Sequence, residues 1–275
     1  MTEFTIPPRR TDWSGLRKLA RGGDPGVILQ LAQRLSEAGE SAEAEQWFRR
    51  AAAQGSGPAM AGLGALLAAD GRISEAIRWL EFAIAADCPG ADQQLGTLYL
   101  ERADLDAAEM WFLPAAEDGL PEALCNMGVV ASRRGFDNEA RHWYERAVRA
   151  GSPTAMRTLG VWLAREGKVE RAVTLLTEAV RRGRADAMAV LGVIFLEHGD
   201  WVEGERWLRR GAEAGDADSM FHLARFLREQ HVRVDFSGNP AAAAAKAQAY
   251  RDARYWLERA ATLRHPEAIR LLHDL

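Results

Sequence analysis

Four ladders of residues run along the 275-residue chain with one period of 32. Trp47, Trp79, Trp111 and Trp143 form the first; its next steps land on Leu175 and Trp207. In register with it run Gly64, Gly96, Gly128, Gly160 and Gly192, continued by Ala32 and Ala224 at the two ends. Two alanine ladders follow, from Ala44 to Ala172 and from Ala51 to Ala179. Self-similarity at a fixed period points to a repeat architecture, in which each unit buries its apolar face against the next.

Within one period the pattern is helical. Ala123, Leu124, Met127 and Ala131 recur at the three-and-four spacing of an amphipathic helix, and so do Ala140, Trp143, Tyr144, Ala147 and Val148. Gly135 separates the two runs, and Gly151-Ser152-Pro153 separates one period from the next. Proline at Pro121 or Pro153 suits a first helical turn, where its missing N–H costs nothing. Each unit therefore reads as helix A, turn, helix B, turn, with almost no strand signal. Gly128 and Ala140 mark the close approach of the two helices, and Trp143 is expected to fill the gap toward the neighbouring repeat.

The order of these residues resembles the tetratricopeptide repeat. Leu63-Gly64, Ala76, Leu80 and Ala83 match its signature positions, as do Leu95-Gly96, Ala108, Phe112 and Ala115. Met127 replaces leucine before Gly128. The stretch Ala140 to Ala147 with Gly151 and Ala155 is closer to the Sel-one-like subfamily, and Trp256 to Ala261 with Ala268 reads the same way. The resemblance implies an all-α, right-handed solenoid of antiparallel helix pairs. A tetratricopeptide unit has about 34 residues, and the shortening to 32 is expected between helix B and the next helix A.

Trp13 to Arg21 matches a helix B without its helix A, and Pro266 to Leu275 a helix A without its helix B. The expected array, residues 11–275, is thus about seven full repeats between half-repeat caps, behind a tail of residues 1–10. From Trp207 to Trp256 there are 49 residues, 17 more than the period. His231 to Asn239 reads as a loop, with Asn239 capping a long helix from Pro240 to about Leu263. This insertion, about 231–250, is either a tolerated surface loop or a contact device.

Composition narrows the function. The formal net charge is -4, which gives no whole-molecule attraction to nucleic acid or an acidic membrane. Cys88 and Cys125, the two cysteines, form no paired motif and read as reduced thiols. No secretory signal or membrane-length apolar stretch is present, so a cytoplasmic protein is expected. The alanine- and arginine-rich composition looks like that of a high-GC bacterium. The six histidines share no repeat position, and no metal, phosphate-loop or nucleophile motif occurs. The chain therefore reads as a non-enzyme with no catalytic residues, metal or cofactor.

The resemblance places helix A on the inner, concave face. Around its glycine, expected partner-binding residues are Gln93, Thr97, Val129, Arg133, Arg157, Val161, Arg165, Val193, Glu197, Phe221 and Arg225. The three valines either line the floor or pack between adjacent A helices. Such a surface suits a peptide or helix of a partner protein laid in a groove. Two alternatives stand beside this scaffold reading: RNA binding through the arginine-rich belt of residues 133–184, and self-association through the inserted helix. The expected state is monomeric or weakly homo-oligomeric, away from membranes.

Overall fold

A computed structural model describes residues 13–233 and 240–273 of the chain. Among these are sixteen α-helices and no strand. A lone helix, α1 (Ser14–Arg21), comes first. Seven pairs follow: α2 (Pro25–Glu37) with α3 (Ser41–Ala52), α4 (Gly57–Ala69) with α5 (Ile73–Ala85), α6 (Ala91–Glu101) with α7 (Leu105–Glu117), and α8 (Pro121–Arg133) with α9 (Asp137–Arg149). Then come α10 (Pro153–Arg165) with α11 (Val169–Arg181), α12 (Ala187–Glu197) with α13 (Trp201–Glu213), and α14 (Ala217–Arg233) with α15 (Pro240–Thr262). The lone α16 (Pro266–His273) closes the series. This is an α-solenoid of seven A/B repeats with a half repeat at each end.

Two kinds of residue set where the helices start and stop. Pro25, Pro121, Pro153, Pro240 and Pro266 each open a helix, as their fixed φ favours. Asp24, Ser56 and Ser152 accept backbone N–H groups of the first turn, which otherwise lack partners. At the other end a left-handed residue reverses the chain. It recurs every sixteen positions, as Gly23, Gly39, Gly55, Gly71, Asp87, Ala103 and then glycine from Gly119 to Gly215. Helix A with its turn and helix B with its turn are therefore equal strides, and the period of 32 is two of them.

The stride breaks once. His231, Val232 and Arg233, expected to begin a loop, form the end of α14 instead. They contain no glycine or proline, and the next breaker in the chain is Gly238. The cap assigned to Asn239 and the tail of residues 1–10 lie outside the described residues. In α15, Ala244, Ala247 and Gln248 are exposed, and Ala253 is buried.

The chain divides into two compact units, Met1–Asp118 with Arg133–Gly135, and Gly119–Ser132 with Phe136–Leu275. The first has a core built on Phe48, Leu63, Leu67, Leu80 and Leu95, with Trp47, Trp79 and Trp111 partly buried against it. Leu208, Leu223, Leu257 and Ala260 are among the buried residues of the second.

The glycine ladder marks the closest helix approach in both units, but its large partner is not the tryptophan. A Cβ on Gly128 would stand 2.6 Å from Tyr144. On Gly160 it would stand 2.7 Å from Leu176, and on Gly192 2.5 Å from Leu208. Trp143 is half-buried; Tyr144, one residue on, is buried. Successive helical residues are about 100° apart, so one position decides which side chain enters the core. Trp143 instead lies flat under Arg146, whose guanidinium is 4.5 Å from its ring centroid. Its indole N–H donates to Glu139 at 3.3 Å.

Candidate functional site

Within each unit the A helices form the tighter layer. In the first, α2 packs on α4 and α4 on α6; in the second, α10 packs on α12 and α12 on α14. Successive B helices make no comparable contact among the described residues. The A helices are therefore the more closely packed layer of each unit.

Two grooves open on that layer in the same register. In the first unit, a groove of about 380 Å³ lies between α4 and α6, lined by Ala65, Ala69, Thr97 and Glu101 with Gln94 and Leu98. In the second, one of about 370 Å³ lies between α12 and α14, lined by Val193, Glu197, Arg225 and Glu229 with His222 and Phe226. Thr97, Val193, Glu197 and Arg225, all expected at the inner face, thus line grooves. Val129 and Val161 are half-buried, and Arg165 is exposed.

The expected stripe three residues before the glycine is a correction. Ala61, Cys125, Ala189 and Phe221 are buried, and Gln93 and Arg157 are half-buried. Phe221 stacks on the His265 ring with centroids 4.6 Å apart, inside the core of the second unit. Three positions spaced four apart drift about 80° around a helix over eight residues, which carries the first of them off the open face. At both grooves the residue two before the glycine position, Gln94 and His222, lines the opening instead; between them the same ladder reads Asn126, Thr158 and Val190. Sequence reasoning missed Gln94 and His222, although this mostly polar ladder was there to find them.

Burial also perturbs the titrating groups. It pushes the Cys125 thiol up to about 12, with the Glu122 carboxylate adding to the effect. Burial holds the His222 imidazole below its ordinary value, and the nearby Arg225 cation acts in the same direction. Elsewhere on the first unit, burial raises the Glu45 carboxyl, but hydrogen bonds from Arg49 and Arg72 outweigh that and hold it below its usual value.

Many arginines of the 133–184 belt are matched. Arg133 donates to the carbonyl of Leu100, and Arg134 pairs with Asp106 and Glu109, both at 2.6 Å. Arg141 pairs with Glu166, a residue of the next repeat and not of its own helix. Arg157 and Arg184 share Asp186 at 3.1 and 2.7 Å, and Arg182 holds Glu178 at 2.8 Å. Exposed pairs of this kind add little stability, but they remove free positive charge. Arg149, Arg165 and Arg171 make no ion pair among the described residues. No group of three or more His, Cys, Asp or Glu side chains there could hold a metal ion, and no helix is long and apolar enough to cross a membrane.

No protein-family model matches the chain, and no curated protein matches it. Solved structures do. The chain is similar to a Sel1 repeat protein from Oxalobacter formigenes, at 25% identity over 86% of this chain and 99% of that one, with a TM-score of 0.59. It is also similar in fold to PilF of Pseudomonas aeruginosa, at 17% identity over 83% of this chain and 99% of that one, with a TM-score of 0.56. The fold is that of tetratricopeptide and Sel1-like repeat proteins.

Proposed function

We propose that the chain holds an extended or helical segment of a partner protein along its A-helix layer and catalyses no reaction. The observation that carries this reading is the recurrence of one groove in one register, between α4 and α6 and again between α12 and α14. In both, residues on either side of the ladder position supply an apolar or small floor and a charged rim. Repeat proteins use such extended surfaces for binding. The proposed contacts are Ala65, Thr97 and Glu101 in the first unit, and Val161, Arg165, Val193, Glu197, His222 and Arg225 in the second. A cytoplasmic location belongs to the same reading, supported by Cys88 and Cys125 being free thiols.

The test is a photo-crosslinking scan. A benzophenone amino acid is placed at Thr97, Val193 or Arg225 on the A layer, and at the exposed Arg78 or Arg206 on B helices. Complexes are recovered from a nuclease-treated native lysate. Adducts to one protein from the A-layer positions alone support the reading. Adducts from the B-helix positions alone, or recovery that vanishes with nuclease, would overturn it.

A further inference from the structure

On the B-helix side of the second unit, a groove of about 390 Å³ runs between α9 and α11, with Leu159 of α10 contributing to its lining. Its place in the repeat accounts for it. Leu175, on its wall, stands in the register held elsewhere by Trp47, Trp79, Trp111, Trp143 and Trp207.

In the first unit the matching place is filled. The Trp79 ring lies against the preceding B helix, with the Arg49 guanidinium 5.8 Å from its centroid. Arg49 also reaches Glu75, at 3.3 Å. Three periods on, positions 49, 75 and 79 become Glu145, Arg171 and Leu175. Carboxylate and guanidinium have exchanged helices, and the indole is gone. Glu145 and Arg171 make no ion pair among the described residues, and both line the open groove. Arg149 lines it too and is equally without an ion-pair partner among the described residues. Two unmatched cations against one carboxylate leave the groove net positive.

We propose that this groove receives an aromatic side chain of a partner protein, flanked in that partner by an acidic residue. The ring takes the place that Trp79 fills in its own repeat, on Leu175 and Leu159, and the carboxylate lies against Arg149 and Arg171. The volume falls within the range of small-ligand clefts, about 300–1,000 Å³. Guanidinium groups suit both halves of such a ligand, lying over ring faces and forming charge-assisted hydrogen bonds to carboxylates. The site shares no residue with the A-layer grooves, so it stands or falls separately from them.

The experiment is methyl and amide NMR on the full chain, titrated with the capped tripeptide Asp-Trp-Glu and with Asp-Ala-Glu as control. Shifts at Val148, Leu159 and Thr174 are expected from the first peptide only. Leu175→Trp should abolish them while raising the unfolding midpoint, which also shows that the variant folds. Arg149→Glu with Arg171→Glu, both on exposed positions, should weaken binding about tenfold or more. No shifts at these residues, equal shifts from the alanine peptide, or shifts that survive Leu175→Trp would each overturn the proposal. Concentration-dependent self-association that Leu175→Trp abolishes would assign the groove to a second copy of the chain and also overturn it.

Discussion

Gly96 and Phe112, sixteen residues apart, fit together so closely that a Cβ on Gly96 would stand 2.6 Å from the phenyl ring. Phe112 is fully buried, so its ring has no open space to move into. Gly96→Ala is therefore expected to lower stability by about 1–3 kcal/mol, the usual cost of overpacking. Urea unfolding measures it. An unchanged midpoint would mean that α6 and α7 separate freely.

Ala103 interrupts the series of turn glycines with φ at 59°. The left-handed conformation costs a residue with a Cβ roughly 1–2 kcal/mol, part of which glycine loses again through unfolded-state entropy. Ala103→Gly should then stabilise the chain by about 0.5–1 kcal/mol. A fall in the thermal midpoint would contradict the turn geometry.

The indole N–H of Trp111 is buried without a hydrogen-bond partner. Two of its counterparts have one: Trp47 donates to Glu43 at 3.2 Å and Trp143 to Glu139 at 3.3 Å, each four residues back. The equivalent residue here is Ala107. Ala107→Glu should supply the acceptor, adding about 0.5–1.5 kcal/mol and moving the Trp111 indole proton resonance downfield. No movement of that resonance would show that the new side chain points elsewhere.

His222 gives the fold an acid-sensitive element. Burial holds its folded-state value below the ordinary 6.5, with Arg225 and His265 also opposing the cation and Asp218 and Glu267 favouring it. Above 6.5 the imidazole is neutral in both states and its contribution is complete. As the pH falls below that value the unfolded chain takes the proton first, so stability declines until the folded value is passed. His222→Gln should flatten this part of the stability profile. An unchanged slope would place the titration elsewhere.

The periodicity made the pairing of helices, their order and many of their first residues readable, because glycine ladders and helix-opening prolines act locally. Phase around each helix was harder. Gly128 and Ala140 stand out as the close approach, but the ring that faces the glycine, Tyr144, does not; the tryptophan ladder draws the eye one position away from it. The same one-position uncertainty put Phe221 on the binding face and left His222 out. The grooves themselves depend on how far apart successive A helices sit, which no single repeat encodes. The end of α14 was misplaced because His231 to Arg233 neither favour nor break a helix strongly.

The sixteen-residue stride has a consequence for how the chain folds. Its repeated pairings lie one or two strides away, so assembly needs no long closure of the backbone. Chains with such short-range wiring fold rapidly and can begin at many points, each finished hairpin serving as the template for the next. The same wiring makes unfolding local: an end pair can open and reclose while distant repeats stay intact.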